Sequence, residues 1–249
     1  MNELVYWTPI NGNQGTEEAT WLNLLAFEPE PVLKYIRDER NGFASYLRCP
    51  AFKDYYRNTF LIRCPMDLKL TVEKDLNGNK VLRTHSYDQT FFNKNISDRL
   101  KQSDLLPTMS VDIGNIFYSK GEVVLEQLSL SMGISQFDTN MNVISGEFDI
   151  SKWIRPVYLG IEILDETKPI ILKRGMPLYF IRFRTSKKVK LIRKELTKDI
   201  QLISNSCLSL KSITPFNTMK ENYEHAKEFM KMYKRKLFKC PFAKNRREL

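Results

Sequence analysis

Histidine is nearly missing from this 249-residue chain, which holds only His85 and His225. A two-histidine, one-carboxylate iron site needs converging ligands, commonly a close His-x-Asp pair with a distant histidine. His85-Ser86-Tyr87-Asp88 lacks that spacing, and His225 falls in an unrelated context. Cysteine is sparse as well: Cys49, Cys64, Cys207 and Cys240, with no C-x-x-C pair. That excludes a dense disulfide scaffold and leaves a zinc site unsupported. Free thiols in a reducing cytoplasm are the economical expectation. No G-x-x-x-x-G-K-S/T loop, G-x-G-x-x-G turn or G-x-S-x-G elbow occurs. No metal or cofactor is therefore expected, and no catalytic residues are assigned.

Long apolar runs are absent too. No stretch of about 18 apolar residues exists, so no membrane span is expected. The start of the chain lacks a basic segment followed by an apolar block, so it does not read as a secretory signal.

What is present supports a real core. Hydrophobic residues make up 42% and aromatics 12%, too much for a globally disordered chain. Alternating apolar residues, the period of a half-buried strand, recur from Thr59 to Phe183. Thr59–Arg63 and Leu68–Glu73 read as strands. Asn77-Gly78-Asn79 reads as a hairpin turn and Lys80–Arg83 as its return. Val111–Ser119 and Glu122–Met132 follow, with imperfect alternation placing a bulge near Gln127. Residues 89–106 suggest a short helix before Pro107, with Phe92, Ile96, Arg99 and Leu100 on one face.

The densest strand signal lies at Trp153–Thr185. Val157, Leu159, Ile161 and Ile163 alternate, Pro169–Lys173 follows, and Tyr179, Ile181 and Phe183 share a face after the Arg174-Gly175 turn. These runs predict a meander or hairpin within one antiparallel sheet, with Phe180, Arg182 and Arg184 on its wet face. The predicted fold is mainly β (α+β), an antiparallel β-sandwich or jelly-roll-like core with N-terminal short helices and a C-terminal amphipathic helix. Residues 1–42 read as irregular and helical decoration, 43–200 as the β-rich core, and 201–249 as a linker and basic helix. Three cysteines precede proline (Cys49, Cys64, Cys240), which points to bent chain at strand ends.

The formal net charge of +10 suits an acidic partner or a solvated basic surface. Two segments concentrate it. Lys187, Lys188, Lys190, Arg193 and Lys194 suit a strand edge whose lysines oppose sheet-to-sheet association. Lys231, Lys234, Arg235, Lys236, Lys239, Lys244, Arg246 and Arg247 fall in a tail with no acid between them. Both are candidates for nucleic-acid or acidic-partner binding. Aromatics among basic residues from Phe43 to Phe60 fit either base stacking or the rim of a β core.

Thr214-Pro215 offers a helix start. Phe216, Met219, Tyr223, Ala226, Met230, Tyr233 and Leu237 follow at alternating spacings of three and four, an apolar stripe on one helical face. It suits a partner-helix interface or packing on the chain's own sheet.

Two resemblances attach to quoted residues. The hairpin ILKRGMPLYFIRF resembles the last strands of dUTPase-like β-clip enzymes, whose aspartate and Ser-Gly-rich phosphate motifs do not occur here. More broadly, YLRCPAFKDYYRNTFLIRCPMDLKL, GEFDISKWIRPVYLGIEIL and ILKRGMPLYFIRF, within residues 46–183, are similar to an uncharacterised family of tailed bacteriophages and bacteria. That family has no assigned activity, so no residue role carries over. The resemblance implies a phage origin. The expectation is a non-enzymatic structural or interaction protein, a virion or assembly component in the host cytoplasm or the virion. Its partner would be another protein or a second copy, with a nucleic-acid-binding protein and an enzyme of unrecognised type as alternatives.

Overall fold

The computed structural model describes residues 2–11, 26–39, 41–85, 96–99, 108–131 and 139–237. Side chains at 10–11, 41–44, 96–99, 109, 111–113, 211–212, 219, 229 and 232–237 fall outside the description. In chain order the elements are β1 (Glu3–Asn11), β2 (Glu30–Pro31), α1 (Val32–Glu39), a 3₁₀ helix (Asn41–Arg48), α2 (Pro50–Tyr56), β3 (Thr59–Arg63), β4 (Leu68–Lys74) and β5 (Lys80–Thr84). Then come β6 (Ile96–Arg99), β7 (Thr108–Ser119), β8 (Val124–Leu128), β9 (Met141–Val143), β10 (Gly146–Asp149) and β11 (Pro156–Ile163). The chain continues through β12 (Ile170–Leu172), β13 (Pro177–Arg184), β14 (Val189–Arg193), α3 (Lys198–Ile213) and α4 (Met219–Leu237).

The architecture is mainly β, in the α+β class. A first sheet has the order β14-β1-β7-β11-β9, with β6 also on β7. A second has the order β10-β8-β13-β3-β2, and a third β12-β4-β5. Every described pairing is antiparallel except β1 with β14.

Side-chain alternation turns these sheets into layers. On β7, Phe117 joins the central core while Ile116 and Tyr118 point to the opposite face. On β13, Tyr179, Ile181 and Phe183 enter the same central core while Phe180 faces away. The first and second sheets thus share one core, to which Leu68, Leu70, Leu82, Ile170 and Leu172 of the third sheet contribute. Helices cover both outer faces. α1 places Val32, Tyr35 and Ile36 against Leu61 and Phe180. α3 and α4 place Ile200, Ile203, Cys207, Ala226 and Met230 against Ile116, Tyr118 and Trp153. The order is helix, sheet, sheet, helix.

Several sequence expectations change here. The three runs at 157–183 form no meander: β11, β12 and β13 belong to three different sheets. Local alternation reveals a strand but not its neighbours, which non-local pairing decides. The face of Phe180 and Arg182 is not wet, because the N-terminal helices cover Phe180 and Arg182 stacks over the Tyr55 ring at 4.5 Å. β8 runs through Gln127 in unbroken register with β10 and β13. Register shifts occur instead at Tyr158/Leu159 of β11 and Pro177/Tyr179 of β13. Residues 96–99 form strand rather than helix, and the rest of 89–106 lies outside the described residues.

The serine-rich segment expected as a linker from 201 is α3 as far as Ile213. Thr197 caps it, accepting from the Ile200 N–H at 3.3 Å. Thr214 ends α3 instead of starting α4. The true cap of α4 is Thr218, whose Oγ1 accepts from Glu221 N–H while its own N–H donates to the Glu221 carboxylate at 2.7 Å. That reciprocal pair is a capping box, and it holds the Glu221 carboxyl below its ordinary range.

Candidate functional surfaces and a cavity

The C-terminal layer places the apolar stripe in two environments. Ala226 and Met230 are buried, and Tyr223 stacks edge-on against Trp153 at 5.7 Å while its hydroxyl accepts the Asp149 N–H. These three pack on the chain's own sheet. Phe216 precedes α4 and is 99% exposed, with Ile213 at 75% close by in sequence. Met219, Tyr233 and Leu237 have side chains outside the described set. The corner carrying Phe216 is braced: Thr214 Oγ1 bonds the Leu210 carbonyl at 2.6 Å and Asn222 Oδ1 at 3.0 Å, and the Asn217 N–H donates to the Thr214 carbonyl. Asn222 itself is buried. A large apolar side chain therefore stands in solvent on a bonded turn.

The basic segments fall only partly within the described residues. β14 is an edge strand, so lysine there opposes further strand pairing. Its alternation sends Lys190 outward and exposed, while Arg193 stacks over Trp7 at 5.3 Å. Lys187 pairs with Glu3 at 3.0 Å, Lys188 is exposed, and Lys194 sits over Tyr6 at 5.5 Å. Lys231 pairs with Glu228 along α4. Lys234, Arg235 and Lys236 belong to the α4 backbone but their side chains are outside the described set, and Lys239, Lys244, Arg246 and Arg247 lie outside the described residues altogether.

Paired cations divide by layer. Beside the N-terminal helices, buried Glu126 bridges partly buried Arg182 at 2.5 Å and exposed Arg184 at 3.1 Å, and partly buried Arg63 meets Glu30 at 2.8 Å and Glu39 at 2.6 Å. Arg155, half-buried on the other side, has no ion pair with a carboxylate among the described residues. It donates to the Pro156 carbonyl at 3.2 Å and lies 5.9 Å from the Phe148 ring. Burial lowers its pKa. Trp153 Nε1 and Ser204 Oγ, also in this layer, are buried with no hydrogen-bond partner among the described residues.

A cavity of about 40 Å³ lies between the two large sheets, with Phe27, Arg63 and Met66 among its lining residues. Ile62, Leu159, Leu172 and Leu178 give it apolar walls, and Tyr179 and Asn115 add polar groups. Tyr179 is 1% exposed and Asn115 7%. Burial raises the Tyr179 pKa, so the phenol stays protonated. Gly114 contributes by having no side chain: a Cβ would collide with the Val157 carbonyl, where β7 and β11 approach closely. Gly175, at φ +85°, makes the turn that binds the end of β3, its N–H donating to the Cys64 carbonyl at 2.8 Å. Cys64 also lines the cavity; its thiol donates to the Met66 carbonyl at 3.0 Å and burial pushes it up to about 11. A protonated, hydrogen-bonded thiol is a wall and not a nucleophile.

The remaining predicted features fall elsewhere. Cys49, exposed, precedes α2, and Cys207 is buried under the C-terminal helices, with burial pushing its thiol up to about 11. Cys240 lies outside the described residues. His85 bonds Thr71 Oγ1 at 2.8 Å, and His225 is exposed on α4. No group of three or more His, Cys, Asp or Glu among the described residues could hold a metal ion, and none of their helices is long and apolar enough to cross a membrane. Sequence reading missed Tyr179 and Asn115 as a pair because they lie 64 positions apart on different sheets.

No known protein-family model matches the chain, and no curated protein matches it significantly.

Proposed function

We propose that this chain is a non-enzymatic structural or interaction protein, a bacteriophage virion or assembly component that docks onto another protein through the α3–α4 corner. The observation that carries this reading is Phe216, wholly exposed on a corner tied by Thr214 and Asn222. Large aromatic side chains are common anchors of protein interfaces, and a braced backbone beneath one lowers the loop ordering that binding must pay for. The phage assignment rests on the resemblance of residues 46–183 alone.

The test is a double variant, Ile213→Ser with Phe216→Ser, compared with the wild type in its native particle or complex. Loss of incorporation with unchanged melting temperature is the expected result. Normal incorporation would overturn the reading. Nucleic-acid binding is the second reading, favoured by exposed Lys188 and Lys190 on the β14 edge. It predicts retention on DNA or RNA that falls steeply with salt. No retention at low salt would remove it.

A further inference from the structure

We infer that the outer edge of β14 is a docking site for an acidic, extended segment of a partner protein, which joins the first sheet as a further strand. This surface is separate from the Phe216 corner. β14 ends the described part of its sheet and runs in unbroken register beside β1. Along a strand, the backbone N–H and C=O of successive residues turn alternately to either side. The Glu3 N–H donates to the Lys188 carbonyl at 2.9 Å and the Lys194 N–H to the Trp7 carbonyl at 2.8 Å, so the even-numbered residues face β1. Lys187, Val189 and Leu191 therefore turn their backbone groups outward, to the side with no described strand.

Asn58 already bonds this side as a strand would. Its buried side chain donates from Nδ2 to the Lys187 carbonyl at 2.9 Å and accepts the Val189 N–H at Oδ1, also at 2.9 Å. A parallel strand bonds a carbonyl and the N–H two residues on in the same way. The next such pair on this side is the Val189 carbonyl and the Leu191 N–H, where an incoming chain would take over from Asn58.

Charge and shape name the occupant. Lys188 and Lys190 are exposed on one face of the edge, while Val189 and half-buried Leu191 pack with the central core on the other. A strand alternating acidic with apolar residues sets its acids beside the lysines and its apolar side chains beside Leu191. A second copy of β14 would bring lysine against lysine, which the same rule disfavours. A nucleic acid meets the lysines but offers no alternating peptide donors and acceptors to the open ladder. Other described sheet ends are less suited. β2, β6, β9, β10 and β12 have four residues or fewer, and β5 has Lys80 and Arg83 beside Glu166 and Glu73.

The probe is a capped Glu-Val-Glu-Val-Glu-Val-Glu peptide, added to the full-length chain at low salt. Saturable binding is expected. The Leu191 amide should gain protection from hydrogen exchange, while the Ile192 amide, already turned to β1, changes little. Two alternately N-methylated versions of the peptide keep its charge, and each loses the donors of one edge. One of them should bind about tenfold more weakly than the other, the scale of lost ladder bonds. Lys190→Glu changes an exposed side chain, so it should melt like the wild type and bind about fivefold more weakly. Ile213→Ser with Phe216→Ser should bind the peptide as the wild type does, which keeps this edge distinct from the corner. No saturable binding, equal binding of the two methylated peptides, unchanged Leu191 exchange, or displacement of the peptide by a poly-dT oligomer would overturn the assignment.

Discussion

The two helical layers cover equivalent sheet faces by different means. The N-terminal layer mixes aromatic stacking with paired charge. Tyr46, Phe52, Tyr56 and Phe180 form a chain of ring contacts 4.7 to 6.4 Å apart, and Arg63 and Arg182 each meet a carboxylate. The C-terminal layer is closed mainly by apolar side chains such as Ile200, Ile203 and Met230, and among the described residues it leaves Arg155 without a carboxylate and Trp153 Nε1 and Ser204 Oγ without a hydrogen-bond partner. The difference teaches where specificity sits. Paired, partly buried charges penalise any other arrangement of the N-terminal layer, whereas the C-terminal one is held mainly by apolar contact with the Tyr223–Asp149 hydrogen bond beside it, and also carries the exposed corner at Phe216.

Removing one partner from the charged layer should have the largest effect. Glu126→Ala strands Arg182 beneath Tyr55, and equilibrium denaturation should show a loss of about 3–5 kcal/mol. In the apolar layer, Ile203→Ala removes a fully buried side chain. It should cost about 2–4 kcal/mol by the same assay, within the range for large-to-small core changes. A cost below 1 kcal/mol would mean that α3 is only loosely docked.

Thr218→Ala breaks the capping box and should cost about 1 kcal/mol. The depressed Glu221 carboxyl gives this effect a sign with pH. A carboxyl whose folded pKa is lowered contributes stability above its unfolded pKa, and that contribution is lost as pH falls through the folded one. The difference between variant and wild type should therefore shrink in acid, which a series of melts checks. Arg155→Met should leave stability unchanged or raise it by up to about 1 kcal/mol, because an unmatched half-buried cation is replaced by an apolar chain of similar length. A loss of 2 kcal/mol or more, beyond the ~1 kcal/mol of an ordinary substitution, would show that Arg155 has a partner.

Strands were the legible part of the fold. Leu68–Glu73, the Asn77-Gly78-Asn79 turn and Lys80–Arg83 stand as β4, its turn and β5, because their pairing is local and Gly78 takes the positive φ of +81° that the turn asks for. Pairing between distant strands left no local trace, so β11, β12 and β13 read as neighbours although each joins a different sheet. α3 was hidden by its serines, which ordinarily favour caps and turns. Ser206 lies within the helix and bonds the Leu202 carbonyl one turn back, while Ile203 and Cys207 supply the buried face that holds it. The stripe on α4 was legible as a helix face with packing on the chain's own sheet as one of two readings, and Tyr223, Ala226 and Met230 are the residues that take it.

That packing changes how the C-terminal segment must be tested. Deleting residues 215–249 removes Ala226 and Met230 from the core, so a lost interaction would not separate a missing contact from a damaged fold. Native-state hydrogen exchange separates them. If α3 and α4 are an integral layer, the amides of Ile203 and Cys207 should exchange only through global unfolding, with the same opening free energy as Leu125 and Ile181 in the central core. Exchange of the helical amides at a much lower free energy, with the strands still protected, would contradict the four-layer account.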